Sequence, residues 1–157
     1  MTPLVSNLWP QFMVDPAFAA CFGQVIVEHA QMLRQERQVI FTLRSGAPLD
    51  KNLCARLLAS LQPDYEGFEL RIQNLFGYAM LDEAVLRDLM EEMKRDGVPI
   101  NGFLDRCKIN IIGQKITIGV CHGTKFLQEM HFEKLLAERV AAHTGVTPQV
   151  TLQSAVS

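Results

Sequence analysis

The sequence contains no run of 18 uninterrupted apolar residues, so it offers no helix able to cross a bilayer. It also lacks a basic segment leading into a short apolar one near its start, and no secretory leader is read there. Its four cysteines, Cys21, Cys54, Cys107 and Cys121, include no CxxC pair, which excludes the usual dithiol redox motif and the paired zinc hook. These absences lead to the expectation of a reduced, cytoplasmic protein. Net charge is scarce too. Fifteen basic against 17 acidic residues give −2, too little for a global attraction to nucleic acid or anionic lipid. The balance differs along the chain, with thirteen acidic and nine basic residues up to position 97 but four acidic and six basic after it. Any phosphate contact is therefore expected in the second half.

What is present is apolar patterning. With 157 residues, 48% of them apolar, the chain can build one substantial core or two small ones, and the order of periodicities predicts two. The clearest stretch is 108–152. Ile109 and Ile111 alternate with Asn110, and Ile116, Ile118 and Val120 alternate with Thr117 and Gly119; between them Gly113-Gln114 suits a two-residue hairpin turn with glycine at positive φ. After a loop at His122 to Lys125, the spacing of Phe132, Leu135, Leu136 and Val140 predicts one long helix, stopped by Gly145 and Pro148 before a closing strand that ends at Leu152.

The same order recurs earlier. Asp15-Pro16 predicts a short capped helix ending near Gly23, within a proline-punctuated segment that otherwise shows no firm period. Val25 and Val27 alternate with Ile26 and Glu28, a polar turn follows at 34–37, and Val39, Ile40, Phe41 and Leu43 form a β-branched and aromatic run. Pro48-Leu49-Asp50 opens a helix with Leu53, Leu57, Leu58 and Leu61 on one face, ended by Pro63 and Gly67; Phe68, Leu70 and Ile72 then alternate as a strand. Between the two copies Asp82-Glu83 begins a helix striped by Leu81, Val85, Leu86, Leu89, Met90 and Met93, with Gly97-Val98-Pro99 as its stop, and residues 100–107 connect it onward through a turn near Phe103-Leu104. The predicted fold class is α+β: two successive ββαβ modules, the first over 1–78 with an N-terminal extension, the second over 79–157 including the linking helix.

Chemistry is harder to find in the pattern. Cys107, Cys121, His122 and His131 invite a metal reading, but adjacent Cys121-His122 would point to opposite sides of a strand, and buried thiols with a loop imidazole are the simpler account. Cys54 and Cys107 read as core fillers, since no orienting third residue or oxyanion loop accompanies them. Asp82, Glu83, Asp88, Glu91, Glu92 and Asp96 alternate with Arg87, Lys94 and Arg95 as a solvated helix face does. No catalytic residue, metal or cofactor is therefore expected. The loop His122-Gly123-Thr124-Lys125 combines glycine, hydroxyl and cation ahead of a helix, without being a P-loop. With the hairpin lysines it yields the candidate nucleic-acid-binding set Lys108, Lys115, Gly123, Thr124 and Lys125, set against the simpler reading of a capping turn and edge-protecting lysines.

Three runs, VIVEHAQMLRQERQVIFTLRSGAPLD, INGFLDRCKINIIGQKITIGV and FEKLLAERVAAHTGVTPQVTL, together resemble the N-terminal region of the PolC-type DNA polymerase III alpha subunit over about 22–152. The resemblance implies two small modules, one similar to the alpha-binding domain of the clamp-loader tau subunit and one similar to a type II KH domain. It implies a non-catalytic accessory role in DNA replication, in a full-length DNA-directed DNA polymerase whose catalytic carboxylates lie elsewhere. The implied partners are replisome proteins such as a clamp-loader subunit or the polymerase core, with DNA as a secondary, weaker contact. The alternative is a free-standing KH-like domain that binds single-stranded nucleic acid. A KH fold clamps the backbone with a GxxG loop, and this chain contains no GxxG.

Overall fold

Val39, Phe41 and Leu43 point to one side of the middle strand of a first sheet, and all three are buried, as period-two alternation requires. The computed structural model describes residues 3–100 and 102–154, and between Gly77 and Tyr78 the chain divides into two units. The protein is mixed α+β, with one three-stranded sheet in each unit and six α-helices among the described residues.

In the first unit the helices α1 (Val5–Leu8) and α2 (Pro16–Phe22), with a 3₁₀ turn over Pro10–Val14 between them, precede the strands β1 (Ile26–Leu33) and β2 (Gln38–Arg44), helix α3 (Lys51–Leu61) and strand β3 (Glu69–Leu75). The two helices predicted from capping chemistry form where they are expected. The Asp15 carboxylate accepts from the Ala17 amide at 2.8 Å and the Asp50 carboxylate from the Leu53 amide at 3.0 Å, satisfying helix-start donors that have no carbonyl partner. β1 runs antiparallel to β2, and β3 runs parallel to it. Leu57 and Leu61 of α3 join Phe18, Phe22, Val27, Phe41 and Leu70 in one core.

The N-terminal segment, which shows no period in sequence, is tied down by non-local pairing. The Val5 amide donates to the Val25 carbonyl at 2.9 Å and the Val27 amide to the Pro3 carbonyl at 2.8 Å, which buries Val5 completely. β1 also extends beyond the alternation seen in sequence. A bulge between Val27 and His29 shifts the register by one residue, so the apolar positions before and after it fall out of phase.

The second unit holds α4 (Glu83–Arg95), β4 (Lys108–Ile112), β5 (Lys115–Val120), α5 (Thr124–Glu129), α6 (Phe132–Thr144) and β6 (Gln149–Ser154). Its sheet repeats the scheme of the first, with β4 antiparallel and β6 parallel to the central β5. Asp82 caps α4 through the Val85 amide at 2.8 Å, and Leu86, Leu89, Met90 and Met93 of that helix meet Ile116, Ile118, Leu127, Leu136 and Val140 in a second core. One expectation is corrected here. Where a loop to Lys125 and a single long helix were predicted, the chain makes two helices, α5 and α6, joined through His131 in the left-handed region at φ 61°. α5 has six residues, too few for a period to show. None of the helices among the described residues is long and apolar enough to cross a membrane.

Candidate nucleic-acid interface

The Ile112–Lys115 pair closes the hairpin around Gly113-Gln114, with Gly113 at φ 57°, the left-handed conformation the turn demands and glycine supplies without strain. The Tyr78 hydroxyl donates to the Gly113 carbonyl at 2.7 Å and the Gln149 amide to the Gln114 carbonyl at 2.8 Å, so the turn is held from both sides. Register then decides which side chains share a face. Ile116, Ile118 and Val120 are fully buried on the helix side, so their neighbours face away from it. Lys108 lies opposite Gly119, Asn110 opposite Thr117, and Lys115 opposite both Ile112 and Gln149. The face away from the helices therefore carries Lys108 and Asn110 of β4, Lys115 and Thr117 of β5, and Gln149, Thr151 and Gln153 of β6.

The other three candidates sit elsewhere, at the head of α5. Gly123 caps the helix at φ 81°. The reason is packing. A Cβ built on it would lie 2.5 Å from Cδ1 of Phe103, whose ring stands 5.4 Å from the His122 and Phe126 rings. The Thr124 hydroxyl accepts from Ser154 at 3.2 Å, tying the helix start to the end of β6, and Lys125 is exposed. The structure thus brings Lys108 and Lys115 onto one face but places Gly123, Thr124 and Lys125 on another element. Gly123→Ala is expected to lower stability by about 2–3 kcal/mol, because the left-handed backbone and the overlap with Phe103 each cost about 1–2 kcal/mol. Urea titration checks this; a loss below about 0.5 kcal/mol would show that the ring moves aside freely.

Two of the cysteines weighed in the sequence sit where burial disfavours the thiolate. Burial, followed by the nearby Cys21 and Asp50, pushes the Cys54 thiol up to about 12, which keeps it protonated at neutral pH and removes its nucleophilicity. Burial also pushes the Cys107 thiol up, against the opposing Arg87 guanidinium, which donates to the Cys107 carbonyl at 2.7 Å. Cys121 and His122 lie just past the end of β5 and both are exposed. Among the described residues, no three His, Cys, Asp or Glu side chains assemble into a group able to hold a metal ion.

The acidic face of α4 does something sequence reasoning missed. Arg139 of α6 donates to Glu92 at 2.7 Å and to Asp96 at 2.9 Å, and His143 lies 3.3 Å from the same Glu92 oxygen. Glu92 and Asp96 are four residues apart, as are Arg139 and His143, so each pair shares a helix face. That spacing was the only signal available. Burial raises the Glu92 carboxyl, but the hydrogen bond from His143, its charge and the Arg139 guanidinium outweigh it and hold the group down to about 2.

No family model matches the chain, and neither curated proteins nor solved structures provide a match.

Proposed function

We propose that this chain is a non-catalytic accessory module of a bacterial replicative DNA polymerase of the PolC type, acting through contacts with replisome proteins such as a clamp-loader subunit or the polymerase core. The observation that carries the reading is the repetition of one strand-pairing scheme. In each unit an antiparallel hairpin is followed by a helical crossover and a strand that pairs in parallel with the hairpin's second strand. Two small α+β modules in series are what the sequence resemblance implies for that polymerase's N-terminal region. Further support comes from Cys54 and Cys107, whose thiols are held protonated and so favour a binding role over thiolate chemistry.

A surface suited to protein contact is left open on the first unit. Ala30 and Met32 of β1 lie opposite Phe41 and Val39, which places them on the apolar side of the sheet, yet both are exposed and Met32 is 46% accessible. Apolar side chains left uncovered on an edge strand are common elements of protein-binding surfaces. The test is to immobilise the chain and present purified clamp-loader and polymerase-core proteins from the same bacterium. Saturable binding to at least one is the expected result. Absence of binding to all of them, by a chain shown to be folded, overturns the reading.

A further inference from the structure

We propose that the open face of the β4-β5-β6 sheet is a sequence-independent contact surface for the sugar-phosphate backbone of single-stranded nucleic acid. The inference stands on the composition of that face, assigns a place and a mode to the nucleic-acid contact expected of Lys108 and Lys115, and does not rest on the replication reading.

The seven polar side chains on the face are two lysines and five amides or hydroxyls, with no carboxylate among them, in a chain that has 17 acidic residues. Among the described residues, no other side chain engages any of the seven through a hydrogen bond or an ion pair. The matching face of the first unit, built on the same strand scheme, behaves differently. There Glu28 pairs with Arg44 at 2.6 Å, Glu69 with Gln38 at 3.5 Å, and His29 with Thr42 at 3.4 Å. One face closes its polar groups on itself; its counterpart leaves donors and positive charge facing solvent.

The kind of partner follows from which residue types are present. Lysine, threonine, asparagine and glutamine are the side chains that contact phosphate and sugar oxygens. Protein interfaces instead concentrate aromatic residues, methionine and arginine at their centres and are poor in lysine. This face has none of those anchors, and its one large apolar residue, Ile112, sits at the hairpin corner, 68% exposed. Without an aromatic ring it provides no platform for base stacking, so it reads backbone and not sequence. Lys108 pairs opposite Gly119, four residues along β5 from Lys115, a separation of roughly 13 Å along the strand. Each lysine therefore meets a different phosphate. The route differs from the KH clamp, since the α5–α6 turn at Met130-His131 holds no GxxG.

The experiment is fluorescence anisotropy with the full chain and labelled oligo-dT, repeated with oligo-dC and across a salt series. Binding at low salt is expected to be equal for the two oligonucleotides. Its logarithm should fall against log salt with a slope of about −1.4, the value for two phosphates neutralised on a single strand. Lys108→Gln with Lys115→Gln, both exposed positions that leave folding intact by circular dichroism, is expected to flatten the slope towards zero and weaken binding about tenfold. Lys125→Gln, on α5, is expected to change neither. The proposal is overturned by absent or salt-independent binding, by a double variant that binds as well as the parent, or by an acidic peptide that binds as tightly as the oligonucleotide. Clamp-loader binding is measured separately, so failure here leaves that reading standing and failure there leaves this one.

Discussion

Phe132→Ala is expected to destabilise the second unit by about 3–5 kcal/mol, the range for removing a fully enclosed aromatic side chain from a core. Phe132 is the first residue of α6, directly after the left-handed turn at His131, and has no solvent exposure. Its ring belongs to the core formed by Leu86 and Met93 of α4, Ile116 and Ile118 of β5, Leu127 of α5 and Leu136 of α6. Removing it leaves a void that the surrounding helices close only in part, so a cavity cost adds to the lost transfer free energy. α5 has six residues, too few to be stable without tertiary support, so its amides should lose protection first. Urea unfolding with hydrogen exchange measures both effects, and Phe132→Leu, which keeps most of the volume, is expected to lose only about 1 kcal/mol. An alanine variant within about 1 kcal/mol of the parent would mean that the ring is not enclosed.

The parts of the fold that were legible in sequence are those fixed by local chemistry. Asp15, Asp50 and Asp82 mark helix starts because a short carboxylate reaches its own helix's free amides. Gly113 marks the hairpin because the turn needs positive φ, and the stripe on α4 shows because 13 residues span more than three turns. What stayed hidden depends on distant partners. Val5 is buried through pairing with Val25, and α5 is seated by Phe103 lying over Gly123, a contact between residues twenty positions apart.

The candidate site divides in the same way. Lys108 and Lys115 were visible as strand-end lysines, but their common face depends on the β4–β5 register, and the contribution of β6 depends on a parallel pairing that closes only after two intervening helices. The glycine of the His122–Lys125 loop stood out in sequence under two readings, a phosphate contact and the simpler capping turn; it caps α5, and nothing in the sequence reveals that the Phe103 ring lies upon it. Such cases arise wherever a tertiary contact and a ligand contact demand the same residue type.

Arg139→Met is expected to cost about 2–4 kcal/mol at neutral pH, more than an exposed ion pair contributes, because it removes the guanidinium shared by two half-buried carboxylates, Glu92 and Asp96, next to the buried His143. Glu92, Asp96 and Arg139 have side chains 28%, 27% and 23% exposed, and His143 only 5%. Removing one member of such a cluster leaves charge that water reaches only partly. Glu92→Gln in the same chain should recover part of the loss, since it removes one of the charges that Arg139 neutralised; the double-variant cycle isolates that coupling. The pH dependence has a definite sign. Glu92 titrates near 2 in the folded chain against an ordinary 4.5, so its stabilisation is present in full above about pH 4.5 and disappears as pH falls towards 2. Between pH 7 and pH 3 the parent is therefore expected to lose about 1–2 kcal/mol more than Glu92→Gln, a difference in which the other carboxylates cancel. Parallel acid limbs for the two proteins, or an Arg139→Met cost below about 0.5 kcal/mol, would reduce the cluster to an ordinary surface ion pair with no part in holding α4 to α6.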